Sequence, residues 1–389
     1  MLPYTALNKH SKPEAKMAMT SLSMEVEESE ATNIYIPEDW SEAADTIAYG
    51  GAHTPTAFIC GPKNSGKSTF SRHVLHVLLR RHKRVAYLDT DVGQPEFTPP
   101  GCLSLTLLDS ESIDLKSQPE RCFFFGDISS KRDPELYLKY IFALYDHYHK
   151  HHHSSSPNNN EMPLIINTPG WVKGIGYDVL VDMLNHIAPS HVVNICVSAK
   201  SKNLPSGTFW SQDTDAAKEA TLIEIKSAHQ DSLNRSVIVH KDSRHIRDLS
   251  IMTYFTHCFP SNMRMGSIKK IAQALASHPP YEVSMSAVNI KHLHTQVPEA
   301  EIFYSLNASI VGLAVSCEGY GNLPHCVGLG IVRGVDTLRG VLYIITPVPQ
   351  HLLEDVDLLL QGFIQIPTCL LQVQGCVSPY MASNVLPGI

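Results

Sequence analysis

The chain has 389 residues, 31 Lys+Arg against 38 Asp+Glu for a net charge of −7 with His neutral, and it is 43 % hydrophobic and 18 % charged. That balance excludes a largely disordered or fibrous protein and one that coats nucleic acid through bulk charge, though not a local basic groove. No apolar run approaches the ~20 residues of a membrane helix, no signal-peptide core opens the chain, and nine scattered cysteines without C-x-x-C spacing read as free thiols, so a soluble intracellular protein of two or three domains with no membrane partner is expected.

Residues 1–33 are rich in Ser, Met, Lys and Glu without periodicity and read as a flexible leader. A short strand is predicted at 34–36 and a helix at 38–49, bounded by Gly50-Gly51. From Thr56 short apolar runs at 56–60, 85–89, 122–125, 164–167, 191–197 and 236–240 alternate with helical patterns at 68–82, 134–148 and 177–187. Strands separated by helices predict an α/β fold, a P-loop NTPase-like parallel sheet flanked by helices, with right-handed crossovers. Two polar insertions, near 151–160 and 201–235, read as surface loops. After a helix at 268–277 the texture changes to Val-, Ile- and Leu-rich runs at 308–317, 327–332, 340–346, 362–366 and 370–375, with a hairpin turn at 336–340. The expected division is therefore the leader 1–33, a P-loop kinase-type domain 34–266 and a smaller, mostly β C-terminal domain 267–389.

Gly61, Pro62, Lys63, Asn64, Ser65, Gly66, Lys67 and Ser68 fit G-x-x-x-x-G-K-[ST] between a predicted strand and an amphipathic helix. Glycines let the backbone curl so that N–H groups converge on an anion at a helix N-terminus. These residues and Thr69 are the candidate ATP-binding set. Lys67 reaches toward the β- and γ-phosphates, and the Ser68 hydroxyl ligates Mg²⁺. Lys63 either adds charge to the phosphates or faces solvent. The run 85–89 ends in Asp89 and continues to Asp91, two carboxylates at i and i+2 at the end of a neighbouring strand. One suits the Mg²⁺ shell and the other an acceptor hydroxyl; the alternative is that one of them merely caps the next turn. No N-K-x-D guanine-specificity element is found, which favours ATP over GTP.

The run Asp89-Thr90-Asp91-Val92-Gly93-Gln94-Pro95-Glu96-Phe97-Thr98-Pro99-Pro100-Gly101 resembles the polynucleotide 5′-hydroxyl kinases, most closely their nucleolar branch in pre-ribosomal RNA processing. A second match, Asn167-Thr168-Pro169-Gly170-Trp171-Val172-Lys173-Gly174, follows a predicted strand; a third is Arg244-His245-Ile246-Arg247-Asp248-Leu249. The resemblance implies transfer of the ATP γ-phosphate to an RNA 5′-hydroxyl end, with Asp91 as base and Asp89 beside Mg²⁺. It further implies that Gln94, Thr168, Gly170 and Trp171 clasp the RNA end, that Trp171 stacks on the terminal base, and that Arg244 and Arg247 close as a lid. Nucleus and nucleolus are the implied location, and a nucleolar endoribonuclease complex the implied partner. Set against these roles, Trp171 also reads as a core residue covering the sheet end, and the two arginines as an exposed basic helix face. The family carries a β-rich N-terminal domain that helps hold the base; only a short stretch precedes the P-loop here.

The histidines at 147, 149 and 151–153 suggest either metal capture or, more simply, a variable loop. Arg80-Arg81-His82-Lys83-Arg84 reads as a basic helix end or a nuclear-localisation patch. A rival function of another class is an ATP-loaded, non-catalytic scaffold of an RNA-processing complex. A generic P-loop ATPase would leave the Asn167–Trp171 segment unexplained.

Overall fold

The computed structural model describes residues 36–51, 53–111, 118–153, 161–210, 220–228, 242–260, 267–316 and 323–371. The leader 1–33, the expected strand at 236–240 and most of the insertion at 151–160 lie outside them, as do Cys317 and Cys376; of the expected strand at 34–36 only Ile36 is described, and it is not in a strand.

In chain order the first unit comprises α1 (Glu38–Tyr49), β1 (Thr56–Cys60), α2 (Lys67–Leu79), β2 (Val85–Asp89), β3 (Cys102–Leu108), β4 (Arg121–Phe124), α3 (Pro134–His152), β5 (Leu164–Asn167), α4 (Ile175–Ile187), β6 (His191–Cys196) and β7 (Thr221–Lys226). Its seven strands run in the order β4-β3-β2-β5-β1-β6-β7. Both faces are covered, so β1 and β2 are buried at every position. The period-2 alternation splits them cleanly. Phe58, Cys60 and Leu88 pack toward α3 and α4, among Tyr137, Ile141, Leu180 and Leu184. Ala57, Ile59 and Tyr87 pack toward α1 and α2, among Trp40, Ile47, Phe70 and Val74.

The expected parallel sheet flanked by helices is present in its main run, and three details of this unit are corrected. The sheet is not purely parallel: β3, which the periodicity did not reveal, pairs antiparallel with β2 and with β4. The connection before it carries Pro95, Pro99 and Pro100 and forms no helix, and without a crossover helix the chain returns antiparallel. The polar stretch 201–235 is not all loop. Its segment Thr221–Lys226 is the edge strand β7, parallel to β6 and exposed at alternate positions, which is why its sequence looks polar. Finally, His151 and His152 belong to α3, and the Nε2 atoms of His147 and His152 both lie within hydrogen-bond reach of Glu120 Oε1, at 2.7 and 2.8 Å. At the end of α2, Arg81 is committed locally: its guanidinium donates to the Ala48 carbonyl and sits 4.7 Å from the Tyr49 ring centroid.

The second unit follows α5 (Ser243–Thr256) and α6 (Ile268–Ser277) with β8 (Tyr281–Ser284), β9 (Asn289–His292), β10 (Ser309–Val315), β11 (His325–Asp336), β12 (Val341–Ile345) and β13 (Leu358–Gln361). Their order is β8-β12-β11-β10-β13-β9, antiparallel except for β13 with β9. The hairpin turn joins β11 to β12 as expected, with Asp336 Oδ1 accepting from the Leu338 and Arg339 N–H groups. The run at 362–366 is not a strand; the strand is β13, which ends where that run begins. Of the expected strand at 370–375 only residues 370 and 371 are described, and they belong to a helical turn at 368–371.

One apolar cluster fastens the two sheets together. Phe124 of β4 packs with Ile251, Met252 and Phe255 of α5 and with Ile310 and Leu329 of the second sheet. A Cβ on Gly312 would fall 2.7 Å from the Phe124 ring, so only glycine lets β10 come so close. No helix among the described residues is long and apolar enough to cross a membrane, and the seven described cysteines are all free.

Candidate active site

The phosphate loop is built as its glycines require. Gly61 sits at φ 147°, Asn64 at 61° and Gly66 at 97°, a backbone that turns back on itself before α2 begins. At Gly61 a Cβ would meet the Ile195 carbonyl oxygen at 2.5 Å; at Gly66 it would meet Trp40 Cη2 at 2.8 Å. Trp40 thus forms the floor of the loop. Its Nε1 donates to the Lys226 carbonyl at 2.8 Å, and its ring lies edge-on to Phe70. α1 and β7 therefore both brace the anion site, and sequence reasoning assigned neither. The signal in the chain was a tryptophan on the apolar face of the helix before the P-loop.

Lys67 is buried and folds over the loop, donating from Nζ to the carbonyls of Gly61 and Pro62 at 3.0 and 2.9 Å. Burial pulls its ammonium down to about 8, and the negative charge of Asp91 opposes that pull. Lysine and aspartate thus share one electrostatic environment. Ser65 Oγ is buried with no partner among the described residues, inside a loop shaped for oxyanions. Ser68 and Thr69 are half-buried in the first turn of α2, whereas Lys63 and Asn64 are exposed.

β2, which carries Asp89, is not the neighbour of β1; β5 lies between them. Asp89 is fully buried. Its Oδ1 accepts from the Asp91 N–H and from Asn167 Nδ2, both at 3.2 Å, and its Oδ2 accepts from the Glu96 N–H at 2.6 Å. Burial pushes this carboxyl up to about 8, aided by the charges of Asp91 and Glu96 and resisted by the backbone donors. Asp91 lies beyond the strand, half-exposed, with Oδ1 accepting from the Gly93 and Gln94 N–H groups at 2.9 and 3.2 Å. The two carboxylates therefore differ in kind: one is a desolvated group held on three donors, the other an accessible one on a turn.

The segment after β5 lies on the phosphate loop. A Cβ on Gly170 would come within 2.5 Å of Lys63 Cα. Thr168 is fully buried and donates its hydroxyl to the Ile59 carbonyl at 2.8 Å, which fixes the segment against β1. Trp171 is half-buried, its ring against Gly176 of α4, where a Cβ would fall 2.4 Å from the indole. Lys131 Nζ stands 5.2 Å from the Trp171 ring centroid. Sequence reasoning missed Lys131, because Ser129–Asp133 carries no motif.

Of the residues expected to form a lid, Arg244 is exposed and Arg247 half-buried, and neither side chain is held by a hydrogen bond or ion pair among the described residues. The other end of α5 is anchored: Tyr254 Oη accepts the Leu329 N–H at 2.8 Å. No hydrogen bond or ion pair among the described residues ties the two arginines to the P-loop. A cavity of about 390 Å³ adjoins Ser68 and Thr69, lined also by Ile36, Arg72, His73, His76 and Glu96; Arg72 and Glu96 are ion-paired across it.

Residues 61–257 match the family model described as mRNA cleavage and polyadenylation factor CLP1 P-loop, and residues 276–367 that described as NOL9-like, C-terminal domain. Among curated proteins, the chain is 56 % identical to the polynucleotide 5′-hydroxyl-kinase NOL9 of Arabidopsis thaliana, covering 90 % of this chain and 97 % of the relative. It is 31 % identical to the NOL9 kinase of Homo sapiens and 26 % to the grc3 kinase of Schizosaccharomyces pombe, covering 86 % and 82 % of this chain. It spans about half the length of those two, 53 % and 49 %. The solved structure of the wild-type Clp1p–Pcf11p complex superposes with a TM-score of 0.59 at 17 % identity, covering 83 % of this chain and 77 % of that one, which supports the fold.

Proposed function

The chain belongs to the polynucleotide 5′-hydroxyl kinases, and from that membership we propose that it transfers the γ-phosphate of ATP to the 5′-hydroxyl end of RNA. The observation that carries this reading is the convergence of three parts at one sheet edge: Lys67 on its glycine-rich loop, Asp91 within its electrostatic reach, and the Gly170–Trp171 segment lying on that loop.

The residues fit ATP and Mg²⁺. Buried, unpartnered Ser65 Oγ and the positive-φ backbone make an oxyanion cradle. The Ser68 hydroxyl and the Asp89 carboxylate are the candidate hard oxygen donors for Mg²⁺. Bound there, ATP with its cation supplies the transferable phosphoryl group and neutralises part of its charge. Lys67 holds the β- and γ-phosphates. Asp91 orients the acceptor hydroxyl and takes its proton, and its half-exposed position on a turn suits that contact. Trp171 fixes the RNA end by stacking, which tolerates any base, and Gln94 and Gly170 border the same end. Arg244 and Arg247 close over the phosphates from the N-terminal end of α5, and catalysis is mostly positioning and charge stabilisation. Adenine takes the cavity beside Thr69, between Ile36 and His73. The division at 266/267 belongs to the same reading, as do pre-ribosomal RNA processing, a nuclear and nucleolar location, and a partner endoribonuclease that supplies the 5′-hydroxyl end.

Incubation of the protein with γ-labelled ATP and a 5′-hydroxyl RNA oligonucleotide tests this, beside Lys67→Ala and Asp91→Asn. Label on the RNA, lost in both variants, is expected. ATP binding without transfer by the unmodified protein would replace the kinase with the nucleotide-loaded scaffold.

A further inference from the structure

Lys131 and Arg132 are consecutive, and each caps an aromatic ring from a different unit of the protein. Lys131 Nζ lies 5.2 Å from the Trp171 centroid in the P-loop unit, and Arg132 Cζ lies 4.2 Å from the Phe363 centroid in the C-terminal unit. The second pair is held in place. Arg132 Nε donates to Asp127 Oδ2 at 2.7 Å, and Asp127 is itself buried. Phe363 is fixed from below: its N–H donates to the Gly126 carbonyl at 2.6 Å, and the His294 ring is stacked with it at a centroid distance of 6.4 Å. A Cβ on Gly362 would fall 2.2 Å from the Gly126 oxygen, so the two loops meet at glycines that admit no side chain. Despite this bracing the assembly remains open, with Phe363 42 % exposed and the Arg132 side chain 51 % exposed.

A guanidinium clamped by a buried carboxylate and laid over a ring is a planar platform with one free face. Such planes stack on the unpaired bases of single-stranded RNA. The same loop touches the acceptor side of the site, since a Cβ on Gly93 would meet the Ile128 carbonyl at 2.9 Å. We propose that the Arg132–Phe363 platform is a second base-stacking subsite, taking a nucleotide downstream of the one at Trp171, with Lys131 meeting the phosphate between them. The C-terminal unit thereby becomes part of the RNA path. The subsite extends the kinase reading above by adding the route of the strand leaving the 5′ end.

The test is direct binding by the 389-residue chain, read by anisotropy of 3′-fluorescein, 5′-hydroxyl probes, using a single labelled nucleoside, which reaches only the Trp171 subsite, and a single-stranded RNA decanucleotide. The unmodified protein is expected to prefer the decanucleotide, and Phe363→Ala and Arg132→Ala each to shrink that preference by about tenfold, the scale of one lost base stack. Arg132→Lys, which keeps the charge and loses the plane, is expected to shrink it as much, while Phe363→Trp keeps it. An equal preference in Phe363→Ala, or full retention in Arg132→Lys, would overturn the proposal, as would a general loss of affinity for both lengths. Because the readout is binding, absence of label transfer by the unmodified protein would count against the kinase reading and leave the length dependence standing.

Discussion

Gly170 presses on Lys63 so closely that a single added methyl would lie 2.5 Å from the lysine Cα and 2.6 Å from its nitrogen. The obstacle is backbone, not a side chain that can turn away. The segment after β5 and the phosphate loop are therefore one mechanical unit. Gly170→Ala is expected to weaken ATP binding at least tenfold as well as RNA phosphorylation, whereas Trp171→Ala should raise the KM for RNA and leave ATP affinity near that of the unmodified protein. Nucleotide titration of both variants distinguishes them; equal ATP affinity in Gly170→Ala would show that the two segments move independently.

Trp40 is a 1 %-exposed indole beneath Gly66. Its truncation to Ala removes a large buried ring and its hydrogen bond to Lys226, at a cost of about 3–5 kcal/mol. The stability loss should appear in chemical denaturation, and ATP should restore less thermal protection to this variant than to the unmodified protein, because the loop loses its floor.

Lys67 carries its charge only below about pH 8 in the free protein, since burial favours the neutral amine. A bound polyphosphate restores the charge. ATP binding at pH 8 to 9 should therefore take up protons and weaken as pH rises. Calorimetry in buffers of different ionisation enthalpy measures the uptake, and Lys67→Met should abolish it.

Asp89 has the opposite sign. Its folded value of about 8 lies above the ordinary 3.8, so the native state binds the extra proton between these values. Stability from this group is complete below about pH 4 and is lost as pH rises toward 8. Asp89→Asn removes the titration. In the absence of Mg²⁺ its melting temperature, relative to the unmodified protein, should climb between pH 5 and pH 8. A constant difference across that range would show that Asp89 is ionised throughout.

The chain itself determined the parts whose conformation is local. Gly61, Gly66 and Lys67 mark the phosphate loop because backbone curl and helix start are set within a few residues, and the mainly apolar runs of β1, β2 and β5 announce strands buried on both faces. The family was also legible, since Asp89–Gly101 and Asn167–Trp171 are contiguous. What only the tertiary structure decided is non-local. β7 hides in a polar stretch because an edge strand owes its pairing to β6, and the antiparallel β3 follows from a helix-free loop rather than from any period in its sequence. Trp40 under Gly66, Lys131 over Trp171 and Arg132 over Phe363 join residues far apart in the chain. No pattern along the chain encodes such pairings, because they arise when sheet order and domain packing bring separate segments to the same surface.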